Sequence, residues 1–216
     1  MGIPSHFCLP RLYPILSTDA LERLGITLET AAGAMLEGGA EVLQFRHKGH
    51  WSPRELAQAH WLMDRCRQAR ALFVINDRAD IAKMVGAALH VGQLDLPPAA
   101  VRAFAGIVGL STHNETQLRA GDASPVEYLA LGPIFGTQSK KDPDPVVGVG
   151  ELARLRPLTD KPLVAIGGIT LENAVDVIRA GADSVAIISG LLSAPEGIRE
   201  TTELWRKQLS SIPHHS

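Results

Sequence analysis

The sequence predicts an α/β fold, a single (β/α)8 TIM barrel, and three observations support it. Short apolar segments alternate with amphipathic segments along the whole chain, and eight such units fill its 216 residues. Segments such as "LVAI" (163–166) contain no polar residue, which is typical of parallel strands buried on both faces. A flavodoxin-like doubly wound sheet also alternates strands with helices, so it is the alternative fold. Eight units favour closure into a barrel.

The eight predicted strands follow one another at regular intervals from the start of the chain. They are "YPILST" (13–18), "VLQFRHK" (42–48), "ALFVIND" (71–77), "ALHVGQ" (88–93), "IVGLSTH" (107–113), "YLALGPI" (128–134), "PLVAIGG" (162–168) and "SVAIISG" (184–190). We expect one domain over residues 1–216, with an N-terminal extension at 1–11 and a C-terminal tail at 212–216.

Helices are predicted between these strands, and two of them have recognisable start signals. In 52–69, Ser52 is a candidate N-cap and Glu55 completes a capping box. In 170–181, Thr170 opens the helix with Asn173 three residues later, and Gly181 is expected to close it.

Composition restricts the classes of function. The net charge is −2 and the sequence pI is near 6.4, so no general attraction to nucleic acid or an anionic membrane is expected. The two cysteines, Cys8 and Cys66, have no metal-site spacing, and no apolar run reaches the ~20 residues that span a bilayer. These features predict a cytoplasmic protein with small-molecule partners, and they leave a homo-oligomer open.

The segment "VLQFRHKG" (42–49) carries an unusual set of polar residues for a buried strand. Because side chains alternate across a strand, Gln44, Arg46 and Lys48 are expected on one face and His47 on the other. In a barrel, the carboxyl ends of the strands form the active-site edge. One amide and two cations are therefore predicted at that edge.

Two anion sites are predicted at this edge. The first lies after strands seven and eight, where barrels often bind phosphate and where two adjacent glycines let the backbone approach an anion. Its predicted members are the backbones of Gly167, Gly168, Ile188 and Ser189 and the hydroxyls of Thr137 and Ser139.

The second predicted anion site combines cations with carboxylates. Arg46, Lys48 and Lys140 would supply charge, and Asn76 would supply hydrogen bonds. Two carboxylates beside these cations, Asp77 and Asp95, are explained by Mg²⁺, which binds one or two carboxylates together with substrate phosphates. A phosphate monoester and a Mg²⁺-pyrophosphate in one pocket suggest a transfer reaction that releases pyrophosphate.

Each cluster also has a purely structural interpretation. Arg46 and Lys48 could form an ion-pair network with Asp77 and Asp95. Histidines such as His90 and His113 often satisfy hydrogen bonds in the core.

Seven motifs together resemble the thiamine phosphate synthase family over about residues 12 to 209. They are "QFRHK", "INDRADIA", "HVGQLDLP", "GLSTHN", "GPIFGTQSKK", "AIGGIT" and "AIISG", in the order of the family. The resemblance implies that hydroxymethylpyrimidine pyrophosphate is joined to thiazole phosphate, with Mg²⁺ as cofactor. It also implies that the pyrimidine-methyl C–O bond breaks with carbocation character before the thiazole nitrogen attacks.

The resemblance also implies roles for individual residues. Gln44 and Ser111 would face the pyrimidine and its pyrophosphate arm, and the catalytic set would be Arg46, Lys48, Ser111 and Lys140. His47 is included among the substrate-binding positions, although an acidic residue is frequent there and the alternation directs it away from the pocket.

Two other functions are alternatives. The related thiazole tautomerase is an isomerase that needs no pyrophosphate clamp, and His113 could be its acid-base group. A catalytically silent ligand-binding regulator is the third interpretation.

Overall fold

The computed structural model describes residues 7–136, 144–192 and 197–212. Its strands are β1 (Leu12–Ser17), β2 (Val42–Arg46), β3 (Leu72–Asn76), β4 (Ala88–Val91), β5 (Val108–Thr112), β6 (Tyr128–Leu131), β7 (Leu163–Ile166) and β8 (Ser184–Ile187). All eight predicted strands are present. Every neighbouring pair is parallel, and β8 pairs with β1, so the sheet is a closed barrel. The predicted barrel is confirmed, and the doubly wound alternative is excluded.

The α-helices lie around this barrel. They are α1 (Thr18–Leu24), α2 (Leu28–Glu37), α3 (Pro53–Ala69), α4 (Ala79–Val85), α5 (Pro98–Val101), α6 (Glu115–Asp122), α7 (Val149–Leu155), α8 (Leu171–Arg179) and α9 (Ile198–Ser210). Short 3₁₀ helices cover Arg156–Leu158 and Ser189–Leu191. No helix in the described ranges is both long and apolar enough to cross a membrane.

The predicted helix signals are present. The Ser52 hydroxyl accepts a hydrogen bond from the Arg54 amide at 3.2 Å, and Glu55 accepts from the Ser52 amide at 2.9 Å. At the start of α8, the Asn173 side chain accepts from the Thr170 amide at 2.9 Å. Helix α8 ends at Arg179, and Gly181 follows with a φ of 110°.

The core has two layers because strand side chains alternate. Leu43 and Phe45 point outward and pack in the layer between strands and helices. The inner layer fills the barrel and consists of Leu9, Tyr13, Ile15, Val42, Val74, Ala88, Tyr128, Ala130, Val164 and Ala186. Phe7 packs against this inner layer, with its ring stacked on Tyr128 at a centroid distance of 6.2 Å. The described part of the N-terminal extension therefore contributes to the barrel core.

Candidate active site

A cavity of about 830 Å³ opens at the carboxyl ends of the strands. Eleven of the predicted site residues line it: Gln44, Arg46, Lys48, Asn76, Asp77, Asp95, Ser111, Gly167, Gly168, Ile188 and Ser189. Thr137, Ser139 and Lys140 lie outside the described residues. Residues from β2, β3, β4, β5, β7 and β8 thus meet in one space, as expected for the active-site end of a barrel.

His47 is not among the residues that line the cavity. Its ring lies 3.0 Å from the Thr18 hydroxyl through Nδ1 and 3.1 Å from the His50 carbonyl oxygen through Nε2. The alternation of side chains along β2 explains this outward position. The structure therefore gives no geometric support to His47 as a substrate-binding residue.

The cations of β2 have carboxylate neighbours. Lys48 Nζ lies 2.5 Å from Asp77 Oδ2, and Arg46 Nη1 lies 3.9 Å from Asp19 Oδ2 and 3.5 Å from the Ser17 hydroxyl. The Lys48–Asp77 pair is one that the structural interpretation predicted. Both cations nevertheless line the cavity, so their charge remains available to an anion there.

Asp77 and Asp95 lie side by side at the ends of β3 and β4. Asp77 has a left-handed φ of 63°, and its amide donates to the His90 carbonyl at 2.7 Å. Asp95 accepts from the Gly92 amide at 2.7 Å. Burial raises the pKa of the Asp95 carboxyl, and the neighbouring Asp77 carboxylate raises that pKa further. Such strained, mutually repelling groups are characteristic of functional sites.

This carboxylate pair fits a hard cation, because a bound cation would relieve the repulsion between the two groups. The described ranges contain no cluster of three or more His, Cys, Asp or Glu side chains that could hold a metal. Two carboxylates are enough for Mg²⁺ when substrate phosphates and waters complete its coordination.

Asn76 has a buried donor that finds no partner among the residues the structure describes. The residue is 6% exposed, its side chain lines the cavity, and its Nδ2 makes no hydrogen bond within the described part of the protein. A buried polar group of this kind costs free energy until a ligand or water satisfies it. Asn76 is therefore positioned to donate to a ligand.

The β7 edge is built from two glycines that both have positive φ, 100° at Gly167 and 63° at Gly168. The Phe135 amide donates to the Gly167 carbonyl at 3.0 Å, which joins this turn to the segment after β6. A Cβ atom on Gly168 would lie 2.5 Å from the Gly136 carbonyl oxygen. Gly168 therefore has two roles: it lets the backbone pack closely against the segment after β6, and it lines the cavity without a side chain.

The floor of the cavity contains residues that the sequence did not single out as a site. The Tyr13 and Tyr128 hydroxyls are 2.8 Å apart, and Tyr128 is 3.0 Å from His90 Nδ1. Burial raises the pKa of Tyr13 to about 12 and lowers the pKa of His90 to about 4. The structural interpretation of His90 as a histidine bonded within the core is therefore confirmed.

His113 also lines the cavity. Its Nδ1 is 2.6 Å from the Gly132 carbonyl oxygen, and its Nε2 is 3.4 Å from Asp144 Oδ2. Asp144 was not singled out from the sequence, because its pairing with His113 depends on the path of the loop after β6.

A closed barrel with a charged cavity at the carboxyl ends of its strands defines the protein as a (β/α)8-barrel enzyme. Residues 12–191 match the family described as thiamine monophosphate synthase, and the chain belongs to that family.

Individual relatives agree with this assignment. The chain is 48% identical to a thiamine-phosphate synthase of Koribacter versatilis, over 87% of this chain and 91% of the relative. It is 42% identical to one from Laribacter hongkongensis, over 90% and 93% of the two chains. It also resembles the solved structure of a thiamine phosphate pyrophosphorylase from Pyrococcus furiosus, with a TM-score of 0.82, 30% identity and coverage of 93% and 96%.

Proposed function

We propose that the protein is a thiamine phosphate synthase, a transferase that joins hydroxymethylpyrimidine pyrophosphate to hydroxyethylthiazole phosphate. Family membership supports the reaction, and one structural observation carries the assignment of the site. A single cavity holds the Lys48, Asp77 and Asp95 cluster together with the glycine edge of β7. A pyrophosphate and a phosphate monoester can therefore bind in the same space.

The pyrophosphate arm of the pyrimidine would lie between the ends of β2 and β3. Arg46 and Lys48 offer charge there, and Asn76 Nδ2, which has no partner among the described residues, offers a donor. Asp77 and Asp95 would hold Mg²⁺, which supplies positive charge against the pyrophosphate when it is bound. Lys140, which lies outside the described residues, would add a further cation.

The phosphate of the thiazole would lie at the opposite side of the cavity. Gly167, Gly168, Ile188 and Ser189 line this side, and the chain after β8 turns there into a 3₁₀ helix. Thr137 and Ser139 would contribute hydroxyls from the segment outside the described residues. In this arrangement, the thiazole nitrogen would lie next to the pyrimidine methylene carbon.

In the reaction, the bond between the pyrimidine methylene carbon and the pyrophosphate oxygen breaks, and its electron pair leaves with that oxygen. The thiazole nitrogen then donates its lone pair to the carbon and forms the new C–N bond. Negative charge grows on the departing oxygen, so Arg46 and Lys48 stabilise the transition state more than the bound substrate.

We also propose that the protein acts in the cytoplasm. Cys8 and Cys66 are both free thiols, which suits a reducing compartment.

Purified protein incubated with both substrates and Mg²⁺ tests the proposed activity. We expect thiamine phosphate and pyrophosphate to appear in equal amounts and only when both substrates are present. Isomerisation of a thiazole substrate without pyrophosphate release would instead identify the tautomerase alternative. Binding of either substrate without any turnover would identify a regulator.

A further inference from the structure

Five polar side chains form a continuous line of hydrogen bonds beneath the cavity. Gln44 Nε2 is 3.0 Å from the Tyr13 hydroxyl, which is 2.8 Å from the Tyr128 hydroxyl. Tyr128 is 3.0 Å from His90 Nδ1, and His90 Nε2 is 2.9 Å from the Ser111 hydroxyl. The two ends of the line, Gln44 and Ser111, are the residues expected to face the pyrimidine substrate.

The middle of the line is buried and uncharged. Tyr13 and Tyr128 are 1% and 0% exposed, and His90 is 8% exposed. The His90 ring lies between the hydroxyls of Tyr128 and Ser111, and burial favours the uncharged form of a ring in such a position. A neutral imidazole carries one N–H, on either Nδ1 or Nε2.

The orientation of the Gln44 amide determines which group donates and which accepts in each hydrogen bond of the line. Gln44 donates to the Tyr13 oxygen, so the Tyr13 hydrogen needs another acceptor. Among the described residues, Tyr128 is the remaining partner of that hydroxyl. If Tyr128 donated to Tyr13 instead, the Tyr13 hydrogen would be buried without a partner, at a cost of about 1–3 kcal/mol.

Each later bond in the line follows from this choice. Tyr13 donates to Tyr128, and Tyr128 donates to Nδ1 of His90. The ring hydrogen of His90 is therefore on Nε2, which donates to the Ser111 oxygen. The hydrogen of Ser111 then remains for a group in the cavity.

We propose that this line is a one-way series of hydrogen-bond donors, in which Tyr13, Tyr128 and His90 are positioning residues for substrate recognition. It orients the Ser111 hydroxyl as a donor toward the pyrophosphate arm, whose oxygens are acceptors. The line also fixes the Gln44 amide so that its carbonyl oxygen and its second N–H are available to hydrogen-bond the pyrimidine ring. A ring nitrogen of a pyrimidine can accept a hydrogen bond from that second N–H.

The opposite order is a poorer match to this ligand. It needs the Gln44 amide turned over, and it makes Ser111 donate to His90. Ser111 would then present only lone pairs to a phosphate that also has only acceptors. The identity of the ligand rests on the proposed function, whereas the order of donors within the protein does not.

The neighbouring strand makes room for this arrangement. Gly109 lies in β5 beside Tyr128, and a Cβ atom at this position would overlap the Tyr128 ring. The absence of a side chain at Gly109 therefore allows the Tyr128 hydroxyl to reach both Tyr13 and His90.

The tautomer of His90 tests the order directly. ¹⁵N NMR of the protein labelled at histidine, recorded without substrates near pH 7, distinguishes a protonated from a bare ring nitrogen. A His90→Asn variant assigns the signal. We expect Nε2 to be protonated and Nδ1 to be bare. A ring protonated on Nδ1, or on both nitrogens, would overturn the proposal.

A matched pair of variants tests the role in recognition. Tyr128→Phe removes one hydroxyl from the line and keeps the ring. Thr112→Val removes a buried hydroxyl from β5 that donates to the Ala130 carbonyl at 2.9 Å, away from the line, so it is the control. We expect Tyr128→Phe to raise KM for the pyrimidine pyrophosphate about five- to tenfold and to leave KM for the thiazole phosphate unchanged.

Equal KM values for the pyrimidine substrate in both variants would show that the line is only structural. If the wild-type protein has no synthase activity, the proposed function fails, and the NMR result still decides the order of donors.

Discussion

At the scale of single residues, Arg46 is the cation whose charge we expect to matter most for turnover. Its side chain is 18% exposed and reaches the cavity beside Lys48. Arg46→Ala should lower kcat/KM by roughly 10²–10³-fold, because it removes charge that stabilises the departing pyrophosphate. Steady-state kinetics measure this loss. Arg179→Ala, on the exposed surface of α8, is the control; equal activity in the two variants would refute the assignment of Arg46.

The two neighbouring carboxylates lead to a prediction about metal. Asp77→Asn and Asp95→Asn each remove one negative charge from the proposed Mg²⁺ site. We expect the Mg²⁺ concentration for half-maximal rate to rise roughly tenfold or more in each variant. Titration of activity with Mg²⁺ measures this value. Full wild-type activity in the presence of EDTA would show that no such site is needed.

The buried His90 should make stability depend on pH. Its pKa is about 4 in the folded protein and 6.5 as an ordinary value, so the unfolded state binds more protons between these pH values. Stability is therefore lost as the pH falls from about 6.5 towards 4. Nearby Asp95 opposes this lowering of the pKa, and Lys48 adds to it.

Urea unfolding of the wild type and of His90→Asn, at pH 7 and at pH 4.5, isolates this contribution. Between pH 7 and pH 4.5, the free energy of unfolding of the wild type should fall by roughly 2–3 kcal/mol more than that of the variant. The reason is that each pH unit below the ordinary pKa of histidine contributes about 1.36 kcal/mol. An equal decrease in the free energy of unfolding of both proteins would mean that protonation of His90 does not cause the loss of stability.

The charged residues of the site could be predicted from the sequence, whereas the residues at the floor of the cavity could not. The two-residue period along β2 correctly directed Gln44, Arg46 and Lys48 inward. Tyr13 and Tyr128 were not recognised, because an aromatic residue in a strand fits an apolar core equally well. Their hydroxyls meet across the barrel, 115 residues apart in the chain, and no local pattern reports such a contact.

At the scale of elements, the glycine pair after β7 has two roles. The sequence suggested an edge for phosphate, and the structure adds that Gly168 packs against the segment after β6. Gly168→Ala should destabilise the protein by roughly 1–3 kcal/mol, because φ is positive and the new Cβ would press on Gly136 and Phe135. Its affinity for the thiazole phosphate should fall as well.

Gly136→Ala is the matched control, since a Cβ there meets nothing within 4 Å. Thermal denaturation and calorimetric titration compare the two variants. A melting temperature for Gly168→Ala equal to that of Gly136→Ala would refute the packing role.

Element boundaries were less predictable than the elements themselves. The strand predicted over 162–168 ends at Ile166, because Gly167 and Gly168 adopt backbone angles outside the β region. The start of α3 was predicted correctly, since Ser52 and Glu55 determine it locally. Strand ends depend on how the following loop packs, and that packing involves distant residues.

At the scale of the whole molecule, closure of the barrel could be inferred only from the number of units. Alternating strands and helices are common to open and closed sheets, and the pairing of β8 with β1 decides between them. The N-terminal extension was recognised as a segment before β1, but the contribution of Phe7 and Leu9 to the barrel interior was not. That contribution depends on Tyr128, a residue of β6 whose ring stacks on Phe7 and which is far from it in the sequence.

We propose that one barrel cavity binds a Mg²⁺-pyrophosphate and a phosphate monoester at opposite sides. A crystal structure of the protein with Mg²⁺, pyrophosphate and thiamine phosphate would reveal both positions. We expect the pyrophosphate beside Lys48 and Asn76, the metal on Asp77 and Asp95, and the phosphate of thiamine at Gly167–Gly168 and Ser189. Phosphate groups in exchanged positions, or ligands bound outside this cavity, would show that the two anion sites are assigned wrongly.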